Sequence, residues 1–290
     1  MTYVTSGELR LWTTRDGDPA DPPVLLIMGA EAQAVHWPAA FVERLVAGGL
    51  QVIRYDHRDT GRSDLVDFDA SPYGAADLVA DAAAVLDGLS LDSAHVVGTS
   101  MGGAIAQWLA GSSPGRVRTL TLMNTTPITG DHPGLPPADP TFMAAVAALA
   151  DLPQTTPAQR IDVAVRAYEL FTASPGFDRP AARRMAVEAV SRARDWTSGA
   201  NHYRGAEGTP PPLSAIIAPT LVIAAEADPM FPPPHTEALA SQIAGARLER
   251  VPGLGHMMLA HGQPERLADL IVSHTREFST PAGDSRPKRP

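Results

Sequence analysis

The chain has 290 residues, a formal net charge of −9, 44% hydrophobic and 19% charged residues, and no cysteine. These proportions support a sizeable core in one large domain, or one domain carrying an insertion. They exclude disulfides, thiolate nucleophiles and Cys-ligated metals, and the acidic balance speaks against a nucleic-acid partner.

The first residues, "MTYVTSGELRLW", hold no basic segment followed by an apolar run, and no stretch nears eighteen apolar residues. A signal peptide and a membrane span are therefore not expected, and a cytoplasmic location is. "ELRLWTT" (8–14) alternates as a strand, closed by the turn residues of "RDGDPADPP". "VLLIMG" (24–29) is continuously apolar and ends in glycine, as suits a parallel strand buried on both faces. A helix at 39–49, a strand at 50–56, a helix at 73–89, a strand at 94–98, a helix at 102–113 and a strand at 117–126 follow. This alternation predicts a mostly parallel central sheet with helices on both faces.

The pattern breaks at "PITGDHPGLPPADP" (127–140), and from about 141 to 196 the signals are helical only. After "GTPPPL" (208–213) it resumes with a strand at 219–229, a helix at 235–245, a strand at 246–253 and a helix at 264–278. The expected organisation is an α/β core of 1–127 and 209–278, a helical cap of 128–208, and a flexible tail of 279–290. No internal repeat is present.

The segment "HVVGTSMGGAIAQWLA" (95–110) places Ser100 between Gly98 and Gly102, where a strand gives way to a helix. In a G-x-S-x-G turn of this kind the serine backbone is strained and the hydroxyl projects above the sheet. The glycines spare clashes with the neighbouring strand and helix. A serine needs a base. "LVIAAEADPM" offers Asp228 just after a strand, with Glu226 two residues earlier as a rival acid. "VPGLGHMM" offers His256 after a short strand and a glycine-rich turn. His261 and His274 fall in or near the last helix, and His235 lies too close to Asp228. The expected oxyanion donors are the backbone N–H groups of Met101 and Ala30. Gln33 is a nearby side-chain amide.

Together "LLIMG", "RYDHRDTGRS", "GTSMGG", "AEADPM" and "PGLGH", in this order, resemble the α/β-hydrolase superfamily over roughly residues 1–127 and 210–278. More narrowly, "VIRYDHRDTGRS", "ADAAAVLDGL", "AHVVGTSMGG" and "ARLERVPGLGH" resemble the aclacinomycin methylesterase group, which acts on anthracycline-type polyketides. The resemblance implies the α/β-hydrolase fold with a helical cap insertion. It also implies an esterase in which Ser100, Asp228 and His256 do the chemistry. Asp56, Arg58, Gly61 and Ser63 would shape a tight turn beside the active-site edge, with His57 structural. Where many relatives carry a histidine–glycine pair after the oxyanion strand, this chain has Met28 and Gly29.

The leading expectation is a serine hydrolase that cleaves a carboxylic ester of a small molecule through an acyl-enzyme intermediate. Candidate pocket residues are Trp37, Met123, Phe142, Met143, Trp196, Tyr203 and Met257, with Asn201 and His202 toward polar substrate groups. Lactone, amide or C–C hydrolysis, cofactor-free peroxide chemistry, and a slow-turnover receptor on the same fold stay open. No H-E-x-x-H pairing, dinucleotide fingerprint or P-loop lysine occurs, so neither a metal nor a cofactor is expected.

Overall fold

The computed structural model describes residues 1–129, 134–205 and 208–278, so the expected tail of 279–290 lies outside the described residues. Eight strands among the described residues form one sheet. In chain order they are β1 (Thr2–Ser6), β2 (Leu9–Asp16), β3 (Pro23–Ile27), β4 (Gln51–Tyr55), β5 (Ala94–Thr99), β6 (Val117–Met123), β7 (Thr220–Ala225) and β8 (Arg247–Val251). Their spatial order is β1-β2-β4-β3-β5-β6-β7-β8. The β1–β2 and β2–β4 pairs are antiparallel, and every later pair is parallel. β1 was not expected. Its outward residues are exposed, and it reaches the sheet through the turn at Gly7, where φ is +57°.

Strand β3 carries Val24, Leu25, Leu26 and Ile27, all fully buried. Both faces of it are covered, which is why the segment is continuously apolar rather than alternating. One face packs on α1 (Ala39–Ala47) and α8 (Gln263–Glu277), through Phe41, Leu45, Leu267 and Ile271. The other packs on α2 (Ala75–Gly88), α3 (Met101–Ser112) and α7 (Pro233–Gln242), through Leu78, Val85, Ile105, Leu109 and Leu239. Each fully buried aliphatic side chain contributes about 1.5–3 kcal/mol of transfer free energy, so these two layers dominate the favourable side of folding.

Between β6 and β7 the chain leaves the sheet for α4 (Pro140–Ala150), α5 (Pro157–Thr172) and α6 (Arg179–Arg192). The start of each is written in the sequence. Asp139, Thr156 and Asp178 accept hydrogen bonds from the amides of Phe142, Gln159 and Ala181, and each helix has a proline in its first turn. A small apolar cluster around Val165, Tyr168, Ala182, Met185 and Leu259 packs α5 and α6 together. No helix among the described residues is long and apolar enough to cross a membrane.

The inserted helices are fastened to the sheet by a buried ion pair. Arg192, at the end of α6, reaches Asp56 in the loop after β4 at 2.8 Å, and its guanidinium lies 4.3 Å from the Trp12 ring centroid. Asp56 also accepts from the amides of Ala34 and Arg62. Gly61, at φ +55°, leaves no room for a Cβ, which would fall 2.3 Å from the Asp56 carboxylate. Next along the loop, Arg58 makes a bidentate pair with Asp81 of α2, at 2.7 Å to each oxygen. His57 is fully buried and hydrogen-bonds through Nε2 to the Met28 carbonyl, at 2.9 Å, just past the end of β3.

Removing one partner of a buried pair strands the other charge. Arg192→Met therefore lowers the unfolding free energy by about 3–5 kcal/mol, measurable by urea titration, whereas loss of an exposed pair such as Arg44–Asp269 costs less than about 1 kcal/mol. Burial pushes the His57 imidazole down from 6.5 to about 3. The unfolded chain thus binds a proton first, and the stability that neutral His57 contributes is complete above pH 6.5 and drains away as pH falls toward 3. From pH 7 to 5 this one group accounts for about 2 kcal/mol of lost stability. The same loss in His57→Gln is smaller by that amount, read from denaturant midpoints at the two pH values.

Candidate active site

Ser100 stands at the junction of β5 and α3 with φ +55° and ψ −126°, a backbone state that few L residues adopt. The tight turn is possible because its neighbours are glycines. A Cβ at Gly98 would lie 2.3 Å from the Gly102 carbonyl oxygen, and one at Gly102 would lie 2.1 Å from that of Ile27. The result lifts the Ser100 hydroxyl above the sheet edge, where Oγ has no hydrogen-bond partner among the described residues and lines a cavity of about 610 Å³.

His256 opens on the same cavity. It follows β8 and a turn whose Gly255 passes against the end of α5; a Cβ there would meet the Thr172 carbonyl oxygen at 2.1 Å. The His256 amide donates to the Phe171 carbonyl at 2.7 Å, and its ring sits between Phe171 and Phe231, with centroids 5.6 and 5.7 Å away. Nδ1 lies 2.8 Å from the nearer oxygen of Asp228 and 3.1 Å from the other. A carboxylate accepts, so Nδ1 carries the hydrogen and Nε2 is left with its lone pair for a proton.

Asp228 is buried in the turn after β7. It accepts from His256, from Asn124 Nδ2 at 2.9 Å, and from the amides of Met230 and Phe231 at 2.8 and 3.1 Å. Burial pushes the carboxyl up, but the imidazole and these donors outweigh it and hold the group below its ordinary range. The rival acid Glu226 is exposed and takes no part. His261 is exposed beside Asp178, His274 is buried against the Pro219 carbonyl, and His235 is held by Thr126 and Pro136.

Asn124 escaped the reading of the sequence. It directly follows β6 with φ +50°, and it also donates to the Gly255 carbonyl at 2.8 Å, so one amide ties the acid to the histidine's loop. The only signal for it was a polar side chain at the end of an apolar strand, where asparagine tolerates a left-handed backbone.

Facing Ser100, the loop after β3 comes so close that a Cβ on Gly29 would lie 3.1 Å from Ser100 Cβ. The Ala30 amide has no hydrogen-bond partner among the described residues and borders the cavity. Met101 is the first residue of α3, so its amide has no acceptor within the helix. Its side chain packs into the core instead of the cavity.

The remaining pocket expectations divide. Met143, Trp196, Tyr203 and Met257 line the cavity, as do Val146, Leu149, Ala167 and Phe171. Gln33 borders it too, but its amide is engaged by the Ala189 carbonyl and by Arg192. Five expectations need correction. Trp37 lies beneath α1, stacked on Phe41 at 5.1 Å, and Met123 points from the end of β6 into the same core layer. Phe142 packs edge-on against Phe171, whose ring forms the cavity wall, and faces a more open groove beside Pro137 and Pro232. Asn201 is committed to Asp59 and Arg204. His202 accepts from the Glu31 amide through Nδ1 and donates from Nε2 to the Arg58 carbonyl, so its polar edges join segments of the protein.

The cavity is mainly apolar. Its described charged lining consists of carboxylates, Glu31, Asp59 and Asp195, without a lysine or arginine. Asp59 is engaged by Tyr73, Asn201 and the Val66 amide, and Asp195 by Thr197 and Ser198, while Glu31 has no hydrogen bond to its carboxylate among the described residues.

A family model for the α/β hydrolase fold matches residues 22–262. The chain is 40% identical over 297 residues to rhodomycin D methylesterase DnrP of Streptomyces peucetius, covering 94% of this chain and 97% of the relative. It is 39% identical, with the same coverage, to rhodomycin D methylesterase DauP of Streptomyces sp. strain C5. Among solved structures, a hydrolase from Pseudomonas aeruginosa PA01 superposes with a TM-score of 0.69 at 26% identity, over 94% of this chain and 97% of that one. By motif order, sheet topology and these similarities, the chain belongs to the α/β-hydrolase family.

Proposed function

We propose that this protein hydrolyses a carboxylic ester, the methyl ester of an apolar polycyclic compound of the polyketide type, through an acyl-enzyme on Ser100. The observation that carries the reading is the hydrogen bond from His256 Nδ1 to buried Asp228, on the cavity that Ser100 lines. It leaves Nε2 as the proton acceptor and gives the incipient imidazolium a fixed counter-charge. Ser100 Oγ attacks the ester carbonyl as its proton passes to Nε2. The carbonyl oxygen becomes an oxyanion, met by the N–H groups of Ala30 and Met101, the latter at a helix N-terminus. His256 then returns the proton to the departing methanol, and a water repeats the cycle to release the acid. The Ser100 hydroxyl makes no hydrogen bond among the described residues. Such contacts tighten when substrate excludes water.

The substrate class has two supports. The relatives named above act on rhodomycin D and share about two fifths of their residues with this chain across nearly its full length. The cavity of about 610 Å³ is walled by Met143, Leu149, Trp196 and Met257, a surface suited to a flat apolar ring system more than to a short acyl chain. The segment of 128–208 acts as its cap.

A fluorophosphonate probe labels Ser100 in the wild type and leaves Ser100→Ala unlabelled, and that variant loses at least about a thousandfold in methyl-ester turnover. Mass spectrometry of the labelled peptide and a methanol-release assay check both, and a folded Ser100→Ala protein with undiminished turnover overturns the assignment. Asn124→Ala removes one donor from a charged acceptor. It lowers kcat about 10- to 100-fold while KM changes little, because the amide orients Asp228 and does not line the cavity.

A further inference from the structure

The cavity wall carries a pair that the hydrolytic steps above do not use. His36, in the 3-10 turn Ala34–His36, and Tyr168, on α5, are both buried, both line the cavity, and are joined by a 2.8 Å contact between His36 Nε2 and Tyr168 Oη. Which of the two donates follows from the other ring nitrogen. The Gln33 amide lies 2.9 Å from His36 Nδ1. A backbone N–H can only donate, and this one has no other acceptor among the described residues. The Gln33 carbonyl is also near Nδ1, at 3.2 Å, but a hydrogen on Nδ1 would meet the hydrogen of the Gln33 amide, which is aimed at the same atom. Nδ1 is therefore the acceptor. Burial pushes the imidazole down to about 4, so the ring is neutral and its single hydrogen sits on Nε2.

With Nε2–H donating, Tyr168 Oη must accept. The phenolic hydrogen then has no acceptor among the described residues, and the tyrosine is on the cavity wall. Accepting from the imidazole polarises the O–H and makes it a better donor. An apolar ligand without a matching acceptor would leave this O–H buried and unpaired.

We propose that Tyr168, set as a one-way donor by His36, is a specificity-determining residue that selects esters whose ring system carries a carbonyl or other acceptor oxygen at a distance from the scissile ester. The inference rests on the ester-hydrolase reading and narrows its substrate class. The oxygen accepts from Tyr168, Tyr168 accepts from His36, and His36 accepts from the Gln33 amide, two residues beyond Glu31 on the loop that supplies the Ala30 oxyanion donor. Recognition of the ring and placement of the ester carbonyl thus share one short run of backbone.

The test compares methyl esters of fluorenone carboxylic acids, with the ester placed in turn at each ring position, against the matching fluorene esters. Wild-type enzyme prefers at least one fluorenone ester over its fluorene partner in kcat/KM. In Tyr168→Phe that preference falls about three- to tenfold, chiefly through KM. The ketone's effect on intrinsic ester reactivity is the same for both enzymes and cancels in the ratio of ratios. An undiminished preference in Tyr168→Phe, or no preference in the wild type, overturns the proposal while leaving ester hydrolysis intact. Failure of every ester to turn over counts against the hydrolase reading instead. Binding to Ser100→Ala then decides the inference separately. The ketone stretch of the fluorenone ester that binds Ser100→Ala most tightly, followed by isotope-edited infrared spectroscopy, shifts to lower frequency on binding relative to an apolar solvent. That readout needs neither turnover nor a folded Tyr168→Phe, and an unshifted stretch also overturns the proposal.

Discussion

Asp56 is wholly buried, and both of its carboxylate oxygens are engaged. One accepts from the Ala34 amide and from Arg192 Nη1, and the other accepts from the Arg62 amide and lies 2.8 Å from Arg192 Nη2 as an ion-pair contact. Three segments that border the cavity meet there: the loop after β3 that holds Ala30, the loop after β4, and the last turn of the inserted helices. Desolvating a carboxylate and a guanidinium costs several kcal/mol each, so the pair is a weak device for raw stability. Its effect is geometric. It lets a helix outside the sheet and a loop at the sheet edge hold one relative position, and the cavity between them depends on that position.

The inserted helices are also coupled to the chemistry from the opposite side. The carbonyl of Phe171 on α5 accepts the amides of both His256 and Met257, and Gly255 has no side chain because α5 occupies that space. The imidazole is therefore oriented by Asp228 through Nδ1, by two tilted phenylalanine rings beside it, and by the inserted helix through its own backbone. A shift of α5 would move the histidine as well as the cavity wall.

Much of this arrangement could be read from the chain, because strong local constraints leave strong local signatures. A strained serine turn needs glycines two residues on either side, and a strand buried on both faces must be continuously apolar. The start of the inserted helices is visible in Asp139–Pro140 and Thr156–Pro157, where a capping side chain precedes a proline. What escaped was sidedness. Trp37 and Met123 are as apolar as Met143 and Trp196, and composition does not say whether a side chain faces the sheet or the cavity. β1 escaped because a short edge strand buries little and so shows little pattern. Asn201 and His202 look like ligand-binding residues by type, yet their polar atoms join the loop after β4 to the turn after α6. Long-range hydrogen bonds of that sort, like the one from Asn124 to Asp228, have no local signature.

The three carboxylates on an otherwise apolar wall, whose described lining holds no lysine or arginine, bear on what happens after bond cleavage. An ester enters uncharged and meets no penalty from them. Under the proposed reaction it leaves as an anion, generated in a low-dielectric chamber that offers it only transient donors and several like charges. On that reading the chemistry converts a welcome guest into an unwelcome one, and the surface that admits the ester disfavours the acid it becomes.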